Sequence, residues 1–379
     1  MSDVFIVEAV RTAVGKRNGA LKDVHPVTLG ATVLRAVVER THLDPAVIDD
    51  VIMGCVSQVN EQGFNIARNA TLAAGYPIAV PATTVDRQCG SAQQSVHFAA
   101  ALIGSGACDV VVAGGVENMS RVSMGSSIAG GSPFPPELLE LYPLTSQGIA
   151  AERIAEQWNI TRAEMESLAL ESHRRAHLAQ ANGYFDREII PVMLPNGERF
   201  AADEGIRPGG TPEQLALLKP AFLPEGRITA ATSSQISDGA AALMLASAKA
   251  VRQYGLTPRA RIVAHRVVGS DPILMLTGPV PATRRVLHDA GMTIDAIDLF
   301  EINEAFASVV LMWQHEMMVD MARVNVNGGA MALGHPLGAT GARLLTSLVH
   351  ELERRNAHYG LQTMCCGGGL GTGLIIERV

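Results

Sequence analysis

The sequence predicts an α/β protein in which one βαβ-rich unit occurs twice, with a further segment inserted between the copies. Two observations carry this reading. Residues 44–54 (Asp-Pro-Ala-Val-Ile-Asp-Asp-Val-Ile-Met-Gly) and 293–303 (Thr-Ile-Asp-Ala-Ile-Asp-Leu-Phe-Glu-Ile-Asn) both run from a helix start through Ile-Asp into an apolar strand. The composition agrees: 47% hydrophobic residues with only 4% aromatics imply a core of Ala, Val, Leu and Ile, and 37 glycines in 379 residues supply tight strand-to-helix turns.

The elements follow in order. An apolar run from Val4 to Val7 opens the chain as a strand. Residues 34–40 read as an amphipathic helix ahead of the first Ile-Asp strand, and 283–290 as its counterpart in the second unit. Thr83, Thr84 and Val85 form a strand leading to a glycine turn, and residues 90–103 form a helix that is apolar nearly all round, hence buried at the centre. A strand from Cys108 then runs to Gly115. In the second unit Val324 and Val326 mark the equivalent strand, Leu344, Leu345, Leu348, Val349 and Leu352 the equivalent helix, and Leu361 to Met364 the closing strand. Between the units proline, glycine and charge rise. A polar helix over 150–183, followed by Pro191, Gly197 and Pro208-Gly209-Gly210, reads as an inserted lid or substrate-binding region. The division expected is residues 1–118 with 236–258, an insertion over 119–235, and a second core over 259–379.

Charge narrows the function. The net charge of −7, with no Lys/Arg block, argues against nucleic acid as the main partner. No apolar run approaches membrane-spanning length, the first residues lack the basic region of a signal peptide, and the last are not a peroxisomal address, so a cytoplasmic protein is the expectation. Five cysteines without a C-x-x-C pair fit neither a disulfide scaffold nor a zinc site. Cys55 and Cys108 sit in apolar runs and read as inert core residues.

Three glycine-rich turns carry reactive side chains. Cys89 lies in Asp86-Arg87-Gln88-Cys89-Gly90-Ser91, at the start of the buried helix, where the macrodipole and free N–H groups favour a thiolate. A cysteine packed at a strand end is the alternative reading. His335, in Gly334-His335-Pro336-Leu337-Gly338, precedes the second long helix, and its glycines place the imidazole at a cleft rather than in the core. Cys365 ends the closing strand ahead of Gly367-Gly368-Gly369, whose N–H groups form an anion-binding nest, while Cys366 points the other way. A fourth piece, Glu301-Ile302-Asn303-Glu304-Ala305-Phe306, puts carboxylates and an amide at the end of a buried strand, where they cap the chain, orient a histidine or hold a water.

In this order these four pieces resemble the signatures of the thiolase family, and the resemblance covers essentially the whole chain. It extends to 8–16, 113–120, 203–207 and 233–240. It implies the five-layered αβαβα thiolase fold: two similar core domains, an inserted loop domain, and a homodimer or homotetramer. It implies an acyltransferase acting on acyl-CoA and CoA, with CoA as substrate and no permanently bound cofactor or metal. Cys89 would be the acylated nucleophile and His335 its base and an oxyanion donor. Cys365 would be the acid/base for the enolate, and Asn303 the holder of an oxyanion-site water. The N–H groups of Cys89 and Gly367 would make the second oxyanion site, and Arg207 and Ser234 would contact CoA.

Where short-chain biosynthetic thiolases carry His-Met before the lid-helix glycine, this chain has Ser146-Gln147, and Gln235 stands where they have Gly. Both favour a broader, degradative pocket: cleavage of a 3-oxoacyl-CoA by CoA rather than condensation of two acetyl-CoA molecules. The residues around Cys89 and the stretch 15–19 resemble actinobacterial thiolases of steroid breakdown. A non-catalytic acyl-CoA or lipid carrier on this fold would have lost part of the reactive set. A decarboxylating condensing enzyme would carry Cys-His-His or Cys-His-Asn instead.

Overall fold

The computed structural model describes residues 3–379. Its architecture is one strand-and-helix plan laid down twice. In the first unit, β1 (Val4–Thr12), β2 (Asp50–Gly54), β3 (Ala82–Val85), β4 (Val110–Asn118) and β5 (Ser237–Ser247) order as β3-β2-β4-β5-β1. In the second, β6 (Ala260–Gly269), β7 (Leu299–Ile302), β8 (Tyr359–Cys366) and β9 (Leu370–Arg378) order as β7-β8-β9-β6. A bridge from Phe300 to Val324 stands at the β3-equivalent edge. Directions match strand for strand: β2 and β4 are parallel as β7 and β8 are, and β4–β5 and β5–β1 are antiparallel as β8–β9 and β9–β6 are. The predicted repeat is therefore present in the topology. β1 and β6 pair antiparallel at Phe5↔Arg261 and Ile6↔Ala260, joining the two sheets.

Helices complete five layers. α1 (Pro26–Thr41) and α2 (Ile66–Ala73) cover the outer face of the first sheet; α3 (Ser91–Ser105) lies on its inner face. The insertion contributes α4 (Gln147–Gln157) and α5 (Arg162–Ala181). α6 (Pro279–Ala290) and α7 (Ala307–Met317) lie on the outer side of the second sheet, and α8 (Thr340–Arg355) packs beside α3 between the sheets. Apolar clusters fill the spaces between the layers, and one of them joins Ala92, Val96 and Ala99 of α3 to Leu345, Leu348 and Leu352 of α8. Most of α3 is buried as expected, but Phe98 (43% exposed) and Ala101 reach the surface.

The expected helix over 150–183 is two helices. Asn159 takes a left-handed conformation (φ 53°), and Thr161 starts α5 with a capping box closed by Glu164. The hydrogen-bonded cap competes successfully with continuation of the periodic pattern.

Candidate active site

The two units meet at their turns. Cys89 sits one residue before the N-cap of α3, packed against Leu337 of the His335 turn and Met364, which precedes Cys365. Residues 332–340 come this close because the opposing backbone has no side chains: a methyl at Gly115 would collide with the carbonyl oxygen of Gly338. Glu117, at the end of β4, ties the turns together. Its buried carboxylate accepts from Val56 N–H (2.9 Å), Ser57 N–H (3.1 Å), Gln62 Nε2 (2.7 Å) and Gly338 N–H (2.8 Å).

The backbone N–H groups of Gly367 and of Cys89 itself, the predicted members of the second oxyanion site, both act to lower the Cys89 thiol pKa. Its resting state differs from the expected thiolate. Burial pushes the thiol up to about 11, further than those N–H groups bring it down, and Glu117 and Asp86 add to the rise. Cys365 is buried as well and lies within electrostatic reach of Cys89; burial first, then that neighbour, hold it well above the usual thiol range. Cys366 Sγ faces Gly90 and Thr372, also within electrostatic reach of Cys89, and all five cysteines are free. Cys108 lies just before β4 and is partly exposed, not core.

His335 is 4% exposed, not open to a cleft as its glycines suggested. Its Nε2 lies 3.3 Å from Asn303 Nδ2, and its Nδ1 lies 2.6 Å from Thr340 Oγ1. Burial, then the Arg343 cation, lower the imidazole to about 3, which keeps it neutral. Asn303 Oδ1 is buried without a partner, which suits a water-holding amide. Glu304 is structural: it accepts from Ser172 Oγ (2.7 Å), Asn325 Nδ2 (3.0 Å) and Met331 N–H (3.1 Å). Glu301 is pushed up to about 8 by burial, against the pull of Arg343.

A cavity of about 990 Å³ opens beside this centre, lined by the predicted Arg207 and Ser234 together with Lys16, Arg17, His173 and Phe222. Its inner end adjoins the histidine turn, because His335 N–H donates to the Gln235 carbonyl at 3.1 Å. The Gln235 side chain donates to the carbonyls of Gly205 (2.9 Å), Met331 (2.8 Å) and Ala332 (3.1 Å), so it ties the insertion to the site. Phe222 packs edge-on to Phe306 and against Gly148, which seats the start of α4 and carries Gln147 to the edge of Gly367. Lys16, Arg17 and Glu117 lie in stretches that carry the family resemblance but were given no role there, and His173 and Thr340 carry no sequence signal separating them from ordinary surface or core residues. Among the described residues no cluster suited to a metal ion and no helix long and apolar enough to cross a membrane is present.

Two thiols and a neutral imidazole on glycine turns, beside a cavity lined by Lys16, Arg17 and Arg207, suit an acyltransferase. The sequence matches the thiolase N-terminal domain over residues 4–249 and the thiolase C-terminal domain over 256–378, and the chain belongs to the thiolase family. It is 52% identical to the steroid 3-ketoacyl-CoA thiolase FadA6 of Mycobacterium tuberculosis, over all of this chain and 95% of that protein. It is 45% identical to the 3-ketoacyl-CoA thiolase of Cronobacter sakazakii over the full length of both. The crystal structure of the Bacillus anthracis acetyl-CoA acetyltransferase superposes with a TM-score of 0.94 at 41% identity, covering 100% of this chain and 99% of that one.

Proposed function

We propose that this enzyme is a degradative thiolase that cleaves a 3-oxoacyl-CoA with CoA, giving acetyl-CoA and a shortened acyl-CoA. The observation supporting it is the cluster that packs Cys89 with Leu337 of the His335 turn and Met364 beside Cys365, together with the His335–Asn303 pair. Cys89 gives its proton to His335 Nε2 as its sulfur attacks the 3-oxo carbon, and the N–H groups of Cys89 and Gly367 take the charge on that oxygen. The C2–C3 bond then breaks. His335 Nε2–H and a water on Asn303 hold the thioester enolate oxygen while Cys365 protonates its carbon. The resulting Cys365 thiolate removes the proton of incoming CoA, whose sulfur displaces the acyl group from Cys89. That leaving sulfur recovers its proton from His335. A second thiol is required because attack and enolate protonation occur at neighbouring carbons. Its burial keeps Cys365 protonated until the enolate forms.

CoA would lie in the long cavity, with Ser234 near the pantetheine and Arg207, Lys16 and Arg17 toward the phosphates. Bulky, steroid-derived acyl groups are the substrate class we favour. The 52% identity to FadA6 and Gln147 at the edge of Gly367 support that choice. The reverse, biosynthetic reaction is the second reading, favoured by the likeness to the Bacillus enzyme. A homodimer or homotetramer is supported by β3, which ends the first sheet with an unpaired edge beside Phe64 (96% exposed) and Ile78 (84% exposed).

The test is CoA-dependent consumption of 3-oxoacyl-CoA across a panel from acetoacetyl to ring-bearing acyl groups, with Cys89→Ala in parallel. Preference for bulky groups, abolished in the variant, is the expected result. Efficient use of acetoacetyl-CoA alone would return the enzyme to the acetyl-transfer class, and no turnover at all would revive the carrier reading.

A further inference from the structure

The mechanism needs a free lone pair on His335 Nε2, yet a neutral imidazole carries its proton on either nitrogen. The hydrogen bond made by the other nitrogen decides which. Here that nitrogen, Nδ1, lies 2.6 Å from Thr340 Oγ1, and the same hydroxyl donates to the Pro336 carbonyl at 2.9 Å. A hydroxyl has one proton. Spent on Pro336, it leaves Thr340 Oγ1 only lone pairs to offer, so Nδ1 must be the donor and Nε2 is left bare toward Asn303 Nδ2. Thr340 is fully buried and begins α8, so no water competes for either partner.

We propose that Thr340 is a positioning residue that fixes the His335 tautomer, so that Nε2 meets Cys89 as a base. This rests on the reading of His335 as that base. When Cys89 loses its proton to Nε2, the ring carries N–H on both nitrogens. Thr340 then accepts from the Nδ1–H of a cation, a stronger bond than it made to the neutral ring. The gain falls in the charged state and lowers the barrier to proton transfer rather than the free energy of substrate binding. Few other charges bear on the ring. Arg343, one turn further along α8, opposes its protonation; Glu117 reaches the same turn only through Gly338 N–H, and the sulfurs of Cys89 and Cys365 lie across the site.

The test uses acetyl-CoA as the probe and reads acetylation of Cys89 by rapid quench and intact mass, in wild type, Thr340→Val, Thr340→Ser and His335→Ala. Valine keeps the shape and removes the acceptor. It is expected to slow acetylation by about 10- to 100-fold, with the half-saturating acetyl-CoA concentration changed less than about threefold. Serine restores the acceptor and is expected to recover the rate to within about fivefold. Wild-type acetylation in the valine variant would overturn the proposal, as would a serine variant as slow as valine, since that loss would be packing. Undiminished acetylation in His335→Ala would instead overturn the assignment of the base. Should the valine variant fail to fold, ¹⁵N NMR of histidine-labelled wild type reads the tautomer directly, with the His335 signal assigned by its absence in His335→Ala. A proton on Nδ1 is expected, and a proton on Nε2 refutes the role of Thr340.

Discussion

Cys89 rests as a neutral thiol and His335 as a neutral imidazole, because burial moves the first up to about 11 and the second down to about 3. The sulfur is therefore activated during attack, not before it. Alkylation by iodoacetamide, which brings no carbonyl to that centre, should follow the thiolate fraction alone. A raised thiol pKa means that fraction climbs about tenfold per pH unit until the pKa is reached. Inactivation of free enzyme should thus keep accelerating from pH 8 through pH 10. A half-maximal rate near pH 8.5 would show an ordinary thiol, and one near pH 6 a preformed ion pair. Cys365→Ala separates the two sulfurs. It is expected to leave alkylation of Cys89 close to wild type while slowing 3-oxoacyl-CoA cleavage by about 10²- to 10⁴-fold. Equal loss of both would contradict the division of labour. The residues proposed to react stand out in the sequence because glycine turns mark them in the chain. Their protonation states do not, since the helix-start argument at Cys89 contains the favourable N–H groups but not the desolvation that outweighs them.

The elements that hold the site are less visible than the residues that occupy it. Glu117 ends an all-buried strand and reads in sequence as one letter of a motif, yet its carboxylate gathers two residues after β2, Gln62 and the histidine turn. Glu117→Ala would strand several buried donors at once. The expected cost is about 3 kcal/mol or more, a lowering of the thermal midpoint by about 4 °C for a chain of this size. Cleavage activity should fall more steeply than stability, because Gly338 would no longer hold the His335 turn against Cys89. Calorimetry beside steady-state rates checks both, and a variant with wild-type stability and activity would remove Glu117 from this account. The same contrast holds in the insertion. Thr161-x-x-Glu164 is a helix-start signal that was present in the sequence. The apolar pattern running across it gave the longer helix precedence, and only the left-handed Asn159 resolves the break. The repeat was easier to read because it depends on strand order, which recurring Ile-Asp starts and glycine turns mark even where the residues differ.

At the scale of the molecule, a net charge of −7 hides a local excess of the opposite sign. One cavity is lined both by Lys16 and Arg17, from the first unit, and by Arg207 of the insertion, a grouping no window of sequence displays. Lys16 has Glu204 as a neighbour at 3.5 Å and remains half exposed, so most of its field reaches solvent. A CoA thioester arrives with several phosphate charges, which the net negative charge of the protein disfavours and these three cations attract. The cluster should therefore act on encounter and on phosphate binding, leaving the carbon–carbon chemistry untouched. Replacing Lys16 and Arg17 together by alanine is expected to raise KM for the acyl-CoA about 5- to 10-fold at low ionic strength, with kcat changed less than about twofold. Added salt should erase the difference. Near 1 M the screening length is about 3 Å, too short for an exposed cation to guide a phosphate into the cavity. A KM penalty that persists in high salt would mean that the two side chains bind by packing. A fall in kcat would mean that the opening segment positions the reacting carbonyl as well as the nucleotide, extending the catalytic unit to the cavity mouth.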